Sequence, residues 1–354
     1  MKIAIATDAW EPQINGVVMT LKKTAEALAA DGHEIRFITP DQFPSVALPG
    51  YASIRIALKA QHGVDTFLDG FKPEAIHIAT EGPLGLAARR YCVRRGMRFT
   101  TAYHTQFPMY LRMRAPVPMG LTYAYLRWFH APAELTLVPT ESMRRDLVAH
   151  GFRHVVLWGR GVDSDLFRPR KKDFLAARRP IFIYAGRIAV EKNIEAFLAL
   201  DLPGTKYVVG EGPYLKTLRQ QFPGARYAEI KNREEFAKYV AAADVFVFPS
   251  RTDTFGLVLL EAMASGVPVA AFPVTGPADV IESGVTGVLD DDLRAAALAA
   301  MKLDGRACRA FALGHTWRDA ARQFLQHVET AVGGAPTRDP AAEHVPDFAR
   351  ADRV

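Results

Sequence analysis

Two kinds of segment alternate along most of the chain, as judged from the spacing of hydrophobic and polar positions. Short apolar runs rich in β-branched residues predict buried strands at 2–7, 34–38, 54–57, 75–79, 98–103 and 134–138. Longer segments with apolar residues every three or four positions predict intervening helices, among them 17–30, 83–95 and 141–150. Strands that alternate with helices in this way predict parallel sheets covered by helices on both faces.

A break separates this pattern into two halves. Residues 159–173 contain two glycines, a proline and a cluster of charges, which indicates an interdomain linker. The alternation then resumes, with strands predicted at 181–185, 207–209, 226–229, 245–248 and 267–271. We therefore predict an α/β fold of two Rossmann-like, doubly wound domains that face a cleft, where loops at the carboxyl ends of both sheets bind the ligand.

The domain boundaries follow from these patterns. We assign 1–165 to the first domain and 166–314 to the second, which ends in a helical stretch over 293–313. An amphipathic helix is predicted within 315–332. Residues 333–354 are rich in glycine, proline, alanine and charge, and we predict a disordered tail.

Composition narrows the class of protein. The 354 residues are 49% hydrophobic, enough for two cores, and this excludes disorder of the whole chain. The two cysteines, Cys92 and Cys308, are far apart and lack metal-ligand spacing, so we expect buried, reduced thiols. An acidic residue at Asp8 argues against a signal peptide, and no apolar run is long enough to span a bilayer. A cytoplasmic location is therefore expected.

The net charge of +6 is distributed unevenly. Between Gly82 and Ala133 there is no Asp or Glu, whereas eight arginines and nine aromatic residues occur, including Tyr110, Trp128 and Phe129. Such a block favours docking on an anionic membrane surface, and a solvated basic face over core aromatics is the alternative. A nucleic-acid partner is not expected, because no stacking-sheet or recognition-helix motif accompanies the charge.

Residues 249–268, Pro-Ser-Arg-Thr-Asp-Thr-Phe-Gly-Leu-Val-Leu-Leu-Glu-Ala-Met-Ala-Ser-Gly-Val-Pro, are the most informative segment. A predicted strand precedes them, and an apolar helical face begins after Gly256. The backbone N–H groups of Thr254, Phe255, Gly256 and Leu257 would then lie at a helix N-terminus, where anions are favoured. Two acids, Asp253 and Glu261, flank that anion site. A ligand that carries both phosphates and hydroxyls, such as a nucleotide sugar, satisfies both requirements.

Cations and glycines follow other predicted strands. Arg187 and Lys192 stand at a helix start, where the helix dipole disfavours cations, so they favour a pyrophosphate clamp over a solvated charged loop. Gly16, after the first strand, would let a diphosphate or sugar approach the backbone, unless it is an ordinary turn glycine. Gly212 could line the base or ribose pocket.

His104 is predicted at the carboxyl end of a strand. As a neutral imidazole it could hydrogen-bond a sugar hydroxyl or a departing phosphate, although a lone histidine is more often structural. No Asp-x-Asp or histidine-rich metal cluster stands at the end of a predicted strand, and no P-loop or complete dinucleotide-binding glycine motif occurs. These absences argue against kinases and dehydrogenases.

Taken together, these motifs resemble the retaining glycosyltransferases of family 4, which have the glycosyltransferase-B fold. The resemblance runs from about residue 2 to 328. It rests on five elements in this order: Asn15-Gly16, Tyr103-His104-Thr105, Arg160-Gly161-Val162-Asp163, Gly186-Arg187 with Glu191-Lys192, and the acid pair Asp253 and Glu261.

The resemblance implies roles for the acids and for the chemistry. Glu261 would bind the ribose hydroxyls, and Asp253, which stands where the family commonly has Glu, would bind hydroxyls of the donor sugar. His104 would orient that sugar near the scissile bond. Arg187 and Lys192 would hold the diphosphate, helped by Gly16. The sugar would be transferred with retention and with neither metal nor cofactor, the leaving phosphate accepting the acceptor proton.

Within the family, the motifs around His104 and residues 157–163 look most like the glycolipid synthases, which include sulfoquinovosyl, glucosyl and mannosyl transferases. The resemblance therefore implies a hexose donor linked to UDP or GDP, a lipid acceptor of diacylglycerol type, and a peripheral position at the inner face of the plasma membrane. It also implies that the helix containing Trp317 crosses back onto the first domain. A soluble or polysaccharide acceptor, a sugar-nucleotide epimerase and a sugar-nucleotide sensor are the alternatives.

Overall fold

The computed structural model describes residues 1–13, 15–48, 51–106, 108–109 and 118–334, with 51–53 described by their backbone alone. Two six-stranded sheets, both parallel, dominate the structure, one in each half of the chain. The predicted fold class is confirmed. Tyr110, Arg112 and Arg114 of the basic block, and almost all of the tail predicted to be disordered, lie outside the described residues.

The first sheet has the strand order β2-β1-β5-β6-β7-β8, and β3 and β4 form a separate antiparallel hairpin. The strands are β1 Lys2–Ala6, β2 Glu34–Ile38, β3 Ser45–Leu48, β4 Tyr51–Ala57, β5 Ala75–Ile78, β6 Thr100–Ala102, β7 Leu135–Val138 and β8 Val155–Leu157. The helices of this half are α1 Gly16–Ala30, α2 Ala60–Phe71, α3 Pro83–Arg95, α4 Met119–His130 and α5 Glu141–Ala149.

The second sheet has the order β11-β10-β9-β12-β13-β14. Its strands are β9 Ile181–Ala185, β10 Thr205–Val209, β11 Arg226–Ala228, β12 Val245–Phe248, β13 Val269–Ala271 and β14 Gly287–Leu289. The helices are α6 Ile194–Leu198, α7 Leu215–Gln221, α8 Arg233–Ala242, α9 Leu257–Ala264, α10 Pro277–Val280, α11 Leu293–Ala300, α12 Gly305–Leu313 and α13 Trp317–Gly333. In the part of the chain that is described, no helix is long and apolar enough to cross a membrane.

Strand order determines where ligands bind. In the first sheet β1 lies between β2 and β5, and in the second β9 lies between β10 and β12, so the order reverses at β1 and at β9. Open α/β sheets bind ligands at such switch points, outside the carboxyl ends of the strands. The loop after β1 leads to Gly16 and the loop after β9 begins at Gly186, so two predicted site loops follow the switch-point strands.

The structure differs from the predicted elements in two respects. The helical stretch at 293–313 consists of two helices, α11 and α12, because the Asp304 side chain caps α12 by accepting from the backbone N–H of Arg306 at 2.9 Å. The short strands β3, β8 and β14 were not predicted, since three or four residues carry too little periodicity to be recognised.

Helix α13 packs on the first domain, although it follows the second in sequence. Phe324 and Val328 are buried in the same core cluster as Ile3, Leu21 and Trp158. The Trp158 indole N–H also donates to the carbonyl of Ala320 at 3.1 Å. Trp158 immediately precedes the linker, so α13 holds the linker against the first sheet.

Candidate active site

The loop between β12 and α9 places its first acid against a cation. Asp253 Oδ1 lies 2.5 Å from Lys192 Nζ, in the loop that follows β9. Asp253 Oδ2 is buried and has no hydrogen-bond partner among the described residues. At the helix start, Gly256 has φ +83°, a left-handed conformation that favours glycine. Phe255 is partly buried and packs against the core of the second domain.

The second acid, Glu261, sits one turn inside α9 and is 5% exposed. Its Oε1 accepts from Arg233 Nη2 at 2.5 Å, while Oε2 is buried without a partner in the part of the chain described. The Arg233 guanidinium lies over the rings of Phe167 and Phe236, at 4.9 and 5.4 Å. Sequence reasoning missed Arg233. A signal existed, because Arg233 begins α8, where the helix dipole disfavours a cation.

The two predicted clamp cations occupy one loop and both face acids. They do not stand at the start of an α-helix as predicted, because α6 begins only at Ile194, after a short helical turn. Arg187 Nη2 lies 3.3 Å from Glu191 Oε1, and Glu191 is 5% exposed. The short helical turn Val190–Lys192 carries Glu191 and Lys192. The next residue, Asn193, donates through Nδ2 to the carbonyl of Pro249 at 3.0 Å, which joins this loop to the loop that carries Asp253.

Gly212 packs its backbone against Ile188, in the loop that carries Arg187 and Lys192. A Cβ at this position would lie 2.0 Å from the carbonyl oxygen of Ile188. Its φ of +157° also lies in the region that side chains avoid. The structure therefore shows a close backbone approach at Gly212, and its predicted contact with a base or ribose stays a prediction.

Gly16 brings the first domain to the start of α9. Asn15 caps α1 by accepting from the backbone N–H groups of Val17 and Val18, both at 3.0 Å. A Cβ on Gly16 would lie 3.5 Å from Leu257 Cδ1. The N-termini of α1 and α9 therefore meet across the domain boundary, which places two sets of helix-start N–H groups near each other.

His104 follows β6 and joins the same junction. Its carbonyl accepts from the Thr254 hydroxyl at 2.8 Å, next to Asp253 in sequence. Its Nδ1 lies 3.1 Å from Arg160 Nη2, and its Nε2 is buried without a partner in the described chain. Burial, Arg160 and His77 together hold the pKa of His104 well below its ordinary value, so the imidazole is neutral.

The site therefore combines complementary hydrogen-bonding groups. Asp253 and Glu261 each contact a cation through one oxygen and keep the other oxygen buried and unpartnered among the described residues. His104 contributes a third unpartnered atom, Nε2. Buried polar atoms without partners are rare in native proteins and favour a ligand that supplies the missing hydrogen bonds. Hydroxyl groups can supply them, since a hydroxyl both donates and accepts.

An exposed apolar stripe lies on α4, within the acid-free block. Leu121, Tyr125 and Trp128 are 66%, 39% and 49% exposed and follow one another at intervals of four and three residues, which places them on one helical face. Arg89 lies 4.1 Å above the Trp128 ring. The Tyr125 hydroxyl donates to the carbonyl of Glu81 at 2.8 Å, so the stripe is tied to the loop at the carboxyl end of β5.

Two family models match the chain. Residues 14–166 match the model described as glycosyltransferase family 4, and residues 179–303 match the model described as glycosyl transferases group 1. Together these matches cover most of both sheets and the candidate site.

Several characterised proteins are similar to this chain in sequence. A GDP-mannose-dependent alpha-mannosyltransferase of Mycobacterium tuberculosis is 29% identical over 379 residues, covering 96% of this chain and 99% of the relative. A sulfoquinovosyl transferase of Arabidopsis thaliana is 32% identical over 286 residues, covering 75% of this chain and 56% of the relative. An alpha-monoglucosyldiacylglycerol synthase of Streptococcus pneumoniae is 27% identical over 350 residues, 85% of this chain and 78% of the relative.

A solved structure shares the fold. The sucrose-phosphate synthase of Thermosynechococcus elongatus superimposes with a TM-score of 0.74 at 20% identity, covering 94% of this chain and 100% of that one. At this identity the likeness concerns the arrangement of the two domains and not their ligands.

Proposed function

The chain belongs to the glycosyltransferases of family 4, and from that premise we propose that it transfers a hexose from a nucleotide diphosphate sugar to a membrane lipid, with retention at the anomeric carbon. The observation that carries the proposal is the pair of half-satisfied carboxylates, Asp253 and Glu261, beside the junction of two helix N-termini. That combination suits one ligand with hydroxyls at both ends and negative charge between them.

The donor is proposed to lie along this junction. Its diphosphate would bind between the starts of α1 and α9, where Arg187 and Lys192 supply positive charge. The free oxygen of Glu261 would accept from a ribose hydroxyl, and that of Asp253 from a hydroxyl of the sugar. The mannosyltransferase relative uses GDP-mannose by its name, and either UDP or GDP is compatible with this arrangement.

The proposed reaction needs no metal or cofactor. The bond between the anomeric carbon and the β-phosphate oxygen breaks, the acceptor oxygen bonds to that carbon on the same face, and the acceptor proton moves to the departing phosphate oxygen. Arg187 and Lys192 would stabilise the charge that grows on the diphosphate, which is the kind of electrostatic stabilisation that contributes most in such sites. His104, neutral at physiological pH, would position the sugar through Nε2.

A lipid acceptor is supported by the apolar stripe on α4. Leu121, Tyr125 and Trp128, flanked by arginines, form a surface that suits the interface of an anionic bilayer, with aromatic rings at the headgroup level. The glucosyldiacylglycerol synthase relative names a lipid product. The stripe is tied to Glu81 after β5, so a docked membrane would lie near the acceptor side of the site.

The donor is tested by thermal denaturation with UDP, GDP and their hexose conjugates. A ligand at 100 times its dissociation constant adds about 2.7 kcal/mol of stability. Glu261→Gln should lose most of this stabilisation, because the amide has only one acceptor oxygen and Arg233 already occupies that face. Glu329→Gln, at an exposed position on α13, is the matched control. The proposal fails if no nucleotide raises the melting temperature of the unmodified chain.

The acceptor is tested with liposomes that contain diacylglycerol and anionic phospholipid. The Leu121→Glu, Trp128→Glu double variant should lose flotation with the vesicles and sugar transfer to the lipid, while Met301→Glu, at an exposed apolar position of the second domain, should lose neither. Transfer to a soluble sugar acceptor, together with no flotation of the unmodified chain, would instead establish the soluble-acceptor alternative.

A further inference from the structure

Arg160 is a buried cation that none of the predicted roles explains. It is 6% exposed and lies in the linker after β8. In the described part of the chain, no carboxylate lies within ion-pair distance of its guanidinium. Burying a charge without a counter-ion is costly, and here burial lowers the pKa of Arg160 to about 9. The free-energy cost of burying Arg160 therefore suggests that its guanidinium makes a contact with a specific role.

The contacts of Arg160 fix its orientation toward one partner. Nη1 donates to the carbonyls of Trp158 at 2.6 Å and Gly159 at 3.0 Å, and the guanidinium lies 4.5 Å from the centre of the Trp158 ring. Nη1 makes both hydrogen bonds to the carbonyls, and Nη2 lies 3.1 Å from His104 Nδ1. The linker itself is held in place, since Gly159 N–H donates to Gln323 Oε1 of α13 at 2.7 Å.

A guanidinium can only donate hydrogen bonds, so the nitrogen that faces it must accept. His104 Nδ1 therefore carries no proton, and in the neutral imidazole the proton resides on Nε2. Nε2 is the buried atom that lacks a partner in the described chain. The Arg160 contact thus converts an imidazole that could accept or donate at Nε2 into one that can only donate there, and this atom has no hydrogen-bond partner among the described residues.

We propose that Arg160 is a positioning residue that holds His104 as the Nε2–H tautomer, so that His104 donates a hydrogen bond to an oxygen of the bound nucleotide sugar. The identity of the ligand that carries this oxygen rests on the proposed function. The tautomer rests on the geometry alone. Arg160 itself does not contact the reacting atoms. Its positive charge also opposes protonation of the ring, together with the buried neighbour His77, which faces the same Trp158 ring from β5.

The tautomer can be measured without any substrate. The full chain is labelled with ¹⁵N-histidine, and the His104 signals are assigned as those lost in His104→Ala. We expect a protonated Nε2 and an unprotonated Nδ1 between pH 6 and 8. Arg160→Met, which keeps an unbranched stem but removes every donor, should shift His104 toward a mixture of tautomers. Arg160→Lys, which restores a donor and a charge, should return the Nε2–H form.

Kinetics then separate positioning from structural support. Arg160→Met should lower kcat about 30-fold, less than the roughly 10²–10⁴-fold that a positioned acid or base contributes directly, because Arg160 acts only through His104. It should change KM for the donor less than about threefold. Arg160→Lys should recover most of the loss. In the His104→Ala background, Arg160→Met should have little further effect, because a residue that acts through His104 has nothing left to position.

The inference is overturned if His104 of the unmodified chain carries its proton on Nδ1, or if Arg160→Met leaves the tautomer unchanged. It is equally overturned if Arg160→Met slows the His104→Ala variant as much as it slows the unmodified chain, since that result indicates a structural role. A chain that binds no nucleotide sugar yet shows the expected tautomers would refute the proposed function and leave the Arg160–His104 assignment standing.

Discussion

The proposed diphosphate site includes Lys192, which already contacts Asp253, so we expect the two anions to compete for this lysine. The Lys192 Nζ to Asp253 Oδ1 distance is 2.5 Å, and the two side chains are only 16% and 17% exposed. A hydrogen bond to a charged group at such a site contributes about 1.5–3 kcal/mol. If the diphosphate draws Lys192 away from Asp253, part of that contribution is lost whenever the nucleotide binds.

Asp253→Asn keeps the shape of the side chain and removes its negative charge. We expect the free energy of unfolding of the unliganded protein to fall by about 1–2 kcal/mol, because a partly buried charged contact is weakened. We expect the affinity for a nucleoside diphosphate to rise about tenfold, equivalent to about 1.4 kcal/mol, because Lys192 no longer leaves an anion to contact the phosphates. Sugar transfer should nevertheless fall at least about 100-fold, since the anionic acceptor for the sugar hydroxyl is gone.

Isothermal titration calorimetry with UDP and GDP measures the affinity, and a transfer assay with the preferred nucleotide sugar measures the rate. Asp291→Asn, at an exposed position after β14, changes the net charge equally and should change neither quantity. An unchanged or weaker diphosphate affinity in Asp253→Asn would refute the competition, and an undiminished transfer rate would refute the role of Asp253 as a reader of sugar hydroxyls.

Two further predictions concern the packing of α13 and the response to pH. Phe324→Ala should lower the free energy of unfolding by about 3–5 kcal/mol, because the centre of this fully buried ring lies 4.9 Å from the ring centres of both Trp158 and His77. Denaturant unfolding measures this loss. Phe174→Ala, at a 43% exposed position, should cost far less. Burial lowers the pKa of His77 from 6.5 to about 3, so between these values the unfolded chain binds a proton that the folded chain does not. The contribution of His77 to the free energy of unfolding is therefore unchanged above pH 6.5. It should fall by up to about 1.4 kcal/mol per pH unit as the pH drops from 6.5 toward 3. His77→Gln should reduce that slope in unfolding titrations, and an equal slope would show that other groups cause it.

The sequence was sufficient to predict the fold and the loops of the site, because both depend on local patterns. Buried parallel strands are continuous apolar runs, and their carboxyl ends meet at one edge, so residues just after them must converge. Asp253, Lys192 and His104 were predicted on that basis. The structure joins Lys192 to Asp253, and the neighbouring Thr254 to the His104 carbonyl.

The partners of these residues could not be predicted, because they depend on tertiary packing. Arg233 reaches Glu261 across 28 residues, and Arg160 reaches His104 across 56, so neither pair shares a sequence motif. Arg160 falls in the predicted linker, and linkers are usually exposed, so a buried charge is not expected there. Lys192 was predicted as a phosphate ligand, and its contact with Asp253, 61 residues away, could not be predicted for the same reason.

Two contacts between the domains connect their relative position to the proposed chemistry. The Thr254 hydroxyl donates to the His104 carbonyl at 2.8 Å, and the backbone N–H of Ser142 donates to Asp279 Oδ1 at 2.8 Å. The loop that contains Thr254 and the short helix α10 are therefore bonded directly to the first domain. His104 is oriented by Arg160 of the linker, while Asp253 belongs to the second domain. Opening the domains would therefore break the Thr254 contact and separate the sugar-hydroxyl reader from the imidazole donor. If both groups bind one sugar as proposed, they would do so only when the cleft is closed. Closure of this kind would couple substrate binding to assembly of the catalytic site.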